Sequence, residues 1–161
     1  MKNITPIKRH PAFVALSQDH HLGLLLVWKI KKGLSDGIVP GRISNYILYF
    51  FEVDLRHHFR EEEELIYSKL PADDKLRLQG EDDHDKIYTL IEEIGDNKTD
   101  RDLLLHFADL LKDHIRFEER VLFNHLQQIW EPAQLDEVVQ HSTERGVNCD
   151  AGYFDPFWLK K

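Results

Sequence analysis

Apolar residues recur at intervals of three to four positions along most of the chain, the spacing that places them on one face of an α-helix. Glycines and prolines interrupt this pattern, which predicts four long helices over about Pro11–Lys32, Arg42–Leu70, Asp73–Ile94 and Thr99–Trp130. Thr99, followed by Asp102 three residues later, resembles a capping box at the start of the fourth helix. A short amphipathic helix over about Ala133–Glu144 and an irregular tail, Arg145–Lys161, follow.

Short connections between successive helices make neighbouring helices antiparallel. We therefore expect an all-α fold, an up-down-up-down four-helix bundle over about residues 11–131, with a short C-terminal helix and irregular tail over residues 132–161. The whole chain, residues 1–161, is expected to be one domain because its length suits a single core. Gly80 lies inside the third segment. Since a mid-helix glycine costs about 1 kcal/mol relative to alanine, that helix is alternatively expected to begin near Glu81.

Composition narrows the classes of partner. Hydrophobic residues make up 42% of the chain, enough for a packed core, and the net charge of −8 argues against nucleic acid as a partner. The longest strongly apolar run, Leu22–Trp28, is far shorter than the ~20 residues that span a bilayer. The single cysteine, Cys149, excludes an internal disulfide framework and fits a reducing compartment. We therefore expect a cytoplasmic protein that uses neither a membrane nor nucleic acid.

Three histidine–glutamate pairs lie four residues apart, so that each pair shares a helix face: His57/Glu61, His58/Glu62 and His114/Glu118. The second and third pairs interrupt apolar stripes and are expected to face inward. The stripe that carries the third pair continues to Val121 and Leu122. The first pair lies on a mostly polar face and is expected to face water, together with Glu63 and Glu64. Inward carboxylates are costly unless they are paired with cations or bound to a metal.

Counting residues from the helix ends tests which histidines could meet. At ~1.5 Å per residue, four of them fall at about one level of an antiparallel bundle: His20, His58, His84 and His114. His106 and His125 miss that level by two or more turns. Four imidazoles and two carboxylates, with no thiolate, suit iron, manganese or zinc. They outnumber the ligands of a structural zinc site, so the residues predict a two-metal centre that shares Glu62 and Glu118.

Four short segments carry a more specific signal: Leu16–His21, His58–Glu62, Asp83–Asp85 and His114–Glu119. In this order and over about residues 11–130, they resemble the hemerythrin-like, or HHE cation-binding, family. The resemblance implies a non-haem di-iron centre with six ligands, His20, His58, Glu62, His84, His114 and Glu118. It also implies that the two glutamates bridge the two iron ions beside an oxo or hydroxo group. Manganese and zinc are the alternative metals.

Some positions depart from the pattern or leave alternatives open. Oxygen-carrying hemerythrins place a fifth histidine one turn after the third-helix histidine, where this chain has Tyr88. Tyr88 is expected to pack in the core, with a place beside the metals as the alternative. His21 replaces His20 as the ligand if the first helix is rotated. Glu119 and Asp113 are expected either to orient ligand imidazoles or to lie at the surface.

We expect a di-iron protein that binds or senses a small ligand such as O2 or NO, or iron itself. A di-iron enzyme, such as an oxidase, a peroxide- or NO-handling enzyme or an iron-centre repair protein, is the alternative with the same ligands. A metal-free helical interaction module is the third interpretation. The aromatic tail is expected to pack over one end of the bundle, with a homodimer contact as the alternative, through Tyr153, Phe154, Phe157 and Trp158.

Overall fold

The computed structural model describes residues 8–142 and 150–159, and within these residues every regular element is helical. The α-helices are α1 (Pro11–Ser35), α2 (Pro40–Phe50), α3 (Arg56–Leu65), α4 (Lys75–Asp96), α5 (Arg101–Phe117), α6 (Phe123–Ile129) and α7 (Pro132–His141). A π-helical turn, Phe51–Leu55, joins α2 to α3, and a second, Glu118–Leu122, joins α5 to α6. A short 3₁₀ turn, Tyr67–Lys69, follows α3. None of the helices in this part of the chain is long and apolar enough to cross a membrane.

The helices pack as a bundle, and the all-α class is confirmed. Helix α5 packs against both α1 and α4, and α2 packs against α4. The four predicted long segments correspond to α1, to α2 with α3, to α4, and to α5 with α6. The two composite segments are the ones that a π-helical turn interrupts.

Helix starts follow the local sequence. Prolines occupy the first turn of α1, α2 and α7, where their missing N–H groups cost no hydrogen bond. The Asp74 side chain caps α4 by accepting hydrogen bonds from the N–H groups of Leu76 and Arg77, at 2.8 and 3.1 Å. Asp100 caps α5, one residue later than the predicted cap at Thr99, because its carboxylate accepts from the N–H of Leu103.

Gly80 does not mark the start of a helix, so the alternative start near Glu81 is wrong. Helix α4 begins at Lys75 and continues through Gly80. The side chain of Tyr67 crosses α4 at this glycine, and a Cβ atom on Gly80 would overlap the Tyr67 ring. The glycine therefore gives up some helix propensity and lets a tyrosine enter the interior of the bundle.

The π-helical turn Glu118–Leu122 changes which residues face inward. A π turn holds more residues than an α turn, so the residues after it are rotated about the helix axis. Val121, predicted to lie on the buried stripe, is 47% exposed, whereas Leu122 and Leu126 are fully buried. The inward positions of the fourth predicted segment therefore shift after Glu118.

Buried apolar residues form two clusters, one toward each end of the bundle. The larger cluster includes Phe59 and Ile115, and the smaller includes Leu16, Tyr67 and Phe123. Phe59 and Tyr67 both contact the ring of His84, so histidines lie where the two clusters meet. The interior between the clusters is therefore walled by aromatic rings.

Part of the C-terminal tail packs on the bundle, as expected. Phe157 is buried against Gly33, and the Trp158 ring lies 4.6 Å from that of Tyr46. The buried ammonium group of Lys29 forms an ion pair with Asp150 and lies 4.0 Å from the centre of the Trp158 ring.

Not all of the C-terminal tail packs on the bundle in this way. Phe154 is 82% exposed, so it takes no part in the packing expected of it. Cys149 and the end of the last predicted helix at Glu144 lie outside the described residues. The homodimer alternative stays a prediction.

Candidate metal centre

Six of the predicted site residues converge at the middle of the bundle, and each is at most 3% exposed. They come from the four long helical segments: His20 from α1, His58 and Glu62 from α3, His84 from α4, His114 from α5 and Glu118 from the π-helical turn after α5. The helical spacing of the sequence had predicted that the four histidines lie at one level. Their side chains do meet there.

The six residues form two overlapping groups. One contains His20, His58, Glu62 and Glu118, and the other contains Glu62, His84, His114 and Glu118. In each group the nitrogen and oxygen atoms that could bind a metal all lie within 4.8 Å of one another. In the part of the chain that the structure describes, no other group of histidine, cysteine and acidic residues meets this criterion. The arrangement is two adjacent four-residue sites that share both glutamates.

Each shared glutamate places one oxygen between histidines of the two groups. Glu118 Oε1 lies 2.9 Å from His20 Nε2 and 3.2 Å from His114 Nε2. Glu62 Oε1 lies 3.0 Å from His58 Nε2 and 3.3 Å from His84 Nε2. A carboxylate in this position can contact cations in both sites.

The outward nitrogen of each imidazole meets a second carboxylate. The four contacts are His20 Nδ1 to Glu119 Oε1 at 2.7 Å, and, each at 2.9 Å, His58 Nδ1 to Asp19 Oδ2, His84 Nδ1 to Glu63 Oε1 and His114 Nδ1 to Asp83 Oδ2. An Nδ1–H that donates to a carboxylate leaves the Nε2 lone pair directed into the centre. All four imidazoles are therefore oriented as metal ligands are.

The supporting carboxylates form a closed circuit around the bundle. Each one is the sequence neighbour of a residue in the centre, yet it contacts a histidine on a different helix. The links run from Asp19 on α1 to α3, from Glu63 on α3 to α4, from Asp83 on α4 to α5, and from Glu119 after α5 back to α1. We call these four acids the supporting circuit. Each of the four helical segments thus carries one histidine of the centre and the acid that supports the histidine of another segment.

Two features show that this donor set fits a metal. The Nε2 atoms of His84 and His114 lie 3.1 Å apart, so only one proton fits between these two nitrogens. Both oxygens of Glu62 are buried, and neither accepts a well-aligned hydrogen bond. Burying a carboxylate this way is costly unless a cation lies near it. Cations between the converging lone pairs would satisfy all of these atoms.

Without a metal, acids and imidazoles balance one another. Burial lowers the pKa of His58, but Glu62 and Asp19 outweigh burial and raise that pKa to about 9. Burial likewise lowers the pKa of His114, whereas Glu118 and Asp83 raise it to about 10. Burial raises the pKa of Glu62, but the surrounding imidazoles hold it well below its usual range. Metal ions would replace the protons that these imidazoles hold.

A buried tyrosine completes the inner wall. The hydroxyl group of Tyr67 donates to Glu118 Oε2 at 2.6 Å. The pKa of Tyr67 is raised mainly by burial and next by the negative charge of Glu118, so the hydroxyl keeps its proton. Since Tyr67 holds Oε2, the other oxygen of Glu118 faces the histidines.

Several residues that the sequence singled out lie elsewhere. Tyr88 is half-buried and packs its ring against Phe51 and Phe59, at centroid distances of 5.7 and 5.8 Å, in keeping with core packing. It belongs to neither four-residue group. His21, the alternative to His20, is exposed, and so is Asp113. His106 and His125 are also exposed, in keeping with their predicted heights.

Part of the predicted solvated face of the second helix is wrong. Glu63 contacts His84, and Glu61 is only 5% exposed, although Glu64 and His57 face solvent as predicted. The face turns inward because α3 packs against both α1 and α7.

The sequence analysis missed Asp19, Asp83 and Tyr67. Each of the two aspartates directly precedes a predicted ligand histidine, but so does the exposed Asp113, so this position in the sequence does not by itself identify a supporting acid. No signal pointed to Tyr67.

Comparison with known proteins supports the chemistry of these residues. The chain matches the family model of the hemerythrin HHE cation-binding domain over residues 19–126, about two thirds of its length. The matched range contains all six residues of the centre. Neither the curated proteins nor the solved structures gave a significant match.

Proposed function

The chain belongs to the hemerythrin HHE cation-binding domain family, and we propose that its six converging side chains hold two iron ions. The observation that carries the proposal is the pair of four-residue groups that share Glu62 and Glu118. Imidazole and carboxylate donors without a thiolate favour iron, with manganese and zinc as the alternative metals. An up-down-up-down order of the four long helical segments is part of the same proposal.

We propose that the centre binds or senses a small ligand such as O2 or NO. Bound iron would supply reversible oxidation and reduction, together with coordination positions open to that ligand. Six protein side chains are few for two ions of octahedral preference, so such positions would remain.

The protein's own contribution is orientation and a dry pocket. The supporting circuit fixes the imidazoles, and Tyr67 holds one oxygen of Glu118. The rings of Phe59 and Phe123 stack on His84 and His20 at centroid distances of 4.0 and 5.5 Å. These rings exclude water from the imidazoles, which protects a bound small ligand from competing solvent.

Metal analysis tests this proposal. After anaerobic reconstitution with ferrous iron, the full chain should hold about two iron ions and show a visible absorption band that azide changes. His58→Ala and Glu118→Ala should each lower the iron content sharply, because each removes a donor to the centre. His125→Ala is the matched control, since His125 is exposed, and it should bind iron as the wild type does.

The outcomes separate the alternatives. Less than about half an equivalent of any transition metal would contradict the proposal and favour a metal-free interaction module. Stoichiometric binding of O2 or NO supports a carrier or sensor. Sustained turnover of peroxide or NO would favour the enzyme instead. A cytoplasmic location also belongs to the proposal, because one cysteine in 161 residues suits a reducing compartment.

A further inference from the structure

A groove between α1 and α5 lies on the outside of the bundle next to the centre, with a volume of about 460 Å³. Its floor is apolar, formed by the buried side chains of Val27 and Ile115. Two large apolar side chains remain open to solvent at its edge, Leu24 at 39% and Trp28 at 50% exposure. An apolar floor with an exposed tryptophan is typical of the centre of a protein interface.

The groove is basic in an acidic protein. Four cations line it, Lys31, Lys112, Arg116 and Arg120, against a single carboxylate, Glu119. The chain as a whole carries a net charge of −8, so the groove stands apart from its surroundings. Lys31 pairs with Asp109 at 2.7 Å, whereas Arg116 and Arg120 are exposed. The charge of the groove is therefore complementary to an acidic surface.

Glu119 connects this groove to the centre. One of its oxygens pairs with Arg9 at 2.9 Å, and the other accepts a hydrogen bond from His20 Nδ1 at 2.7 Å. A molecule seated in the groove would contact a residue that is one hydrogen bond away from a proposed iron ligand.

We propose that this groove docks a small acidic electron-transfer protein that reduces the metal centre, an inference that rests on the proposed function. In each encounter one electron leaves the reduced partner and converts one ferric ion to the ferrous state, and the oxidised partner then dissociates. Two encounters reduce both ions, and no atom is transferred between the proteins.

A protein fits this groove better than other anions do. Tryptophan and arginine over an apolar floor are the residue types that dominate protein–protein binding energy. An extended polyanion such as DNA would meet the net negative charge of the rest of the molecule. A compact acidic patch meets only the groove, where charge complementarity speeds the encounter and fixes its orientation.

Binding is tested first, with a plant-type [2Fe–2S] ferredoxin as the acidic probe. Titration of the full chain with oxidised ferredoxin at low ionic strength should show association that weakens at least about tenfold when Arg116 and Arg120 are both changed to glutamate. Raising the salt to about 0.3 M should weaken the wild-type complex as well. Lys98→Glu/Arg101→Glu is the matched control, because both residues are exposed near the other end of α5 and the double change alters the net charge equally, and it should bind as the wild type does.

Electron transfer is tested next, with the iron-loaded protein. The second-order rate of reduction by reduced ferredoxin should fall at least about tenfold in the Arg116→Glu/Arg120→Glu protein. A small neutral reductant should reduce the variant and the wild type at equal rates, which shows that the centre itself is intact.

The two measurements fail in different ways. If the chain holds no iron, the proposed function fails, while the titration still decides whether the groove binds an acidic protein. Absence of association, equal affinity of the groove variant and the control, or preferential binding of DNA or anionic vesicles would overturn the docking proposal. Association without faster reduction would overturn the electron-transfer role.

Discussion

A residue next to a ligand histidine in the sequence can support a histidine on a different helix. Asp83 directly precedes His84, yet it hydrogen-bonds to His114 on α5. Burial raises the pKa of Asp83, but the His114 imidazole lowers it below its usual range, so the aspartate is an anionic acceptor. Asp85, on the other side of His84, is exposed. The two aspartates are therefore close in sequence and unlike in role.

Asp83→Asn should weaken metal binding by about 10- to 100-fold, the usual cost of removing a carboxylate behind a ligand histidine. The asparagine keeps the size of the side chain but removes the charge that orients and polarises His114. Competition titration against a chelator measures the change in affinity. Asp85→Asn is the matched control, and an equal loss in both variants would show that Asp83 acts only through the overall charge.

Spacing along one helix predicts which side chains share a face, but not which side chains meet from different helices. Helical spacing identified His58 and Glu62, because a polar residue on an apolar stripe can be recognised within one helix. It could not identify Asp83 or Glu63 as partners of His114 and His84, since those contacts join different helices. Tyr67 was missed for the same reason, because it follows α3 and reaches the centre by crossing α4.

Whole elements were predicted better than their irregularities. The four long segments are helical where apolar periodicity placed them, because that periodicity reports the buried face directly. The two π-helical turns were not predicted, since they are set by packing between helices rather than by local propensity. Their effect is visible at Val121, which the α-helical spacing had turned inward.

Helix α4 offers a matched test of what its glycines do. Gly80→Ala should lower the free energy of unfolding by about 1–3 kcal/mol, because the new methyl group displaces the Tyr67 ring. Gly95→Ala in the same helix meets no atom within 4 Å, and it should raise stability by up to about 1 kcal/mol through helix propensity. Chemical denaturation of the metal-free protein measures both. A stable Gly80→Ala protein would show that the tyrosine moves at little cost.

At the scale of the molecule, the metal-free bundle holds several buried charges between its two apolar clusters. The pKa of His58 is raised to about 9 and that of His114 to about 10, from an ordinary value of 6.5. A raised pKa means that the folded state binds the proton more tightly than the unfolded state does. The stabilisation is therefore complete below about pH 6.5 and is lost as the pH rises through 9 to 10.

The thermal midpoint of the metal-free protein should accordingly decrease as the pH is raised from about 6.5 to about 10. The iron-loaded protein should not follow this course, because metal binding requires the inward nitrogens to be deprotonated and is favoured as the pH rises. Calorimetry of both forms across this range measures the difference. A metal-free midpoint that rises with pH would contradict the assigned protonation of the histidines.

The supporting circuit closes only when the end of the fourth long helical segment has been synthesised. Its last link, from Glu119 to His20, joins the end of the fourth long helical segment to the first segment. A nascent chain that has emerged only as far as α4 still lacks His114, Glu118 and this final link. Both four-residue groups contain Glu118, so each of them stays incomplete until the fourth long helical segment has left the ribosome and docked.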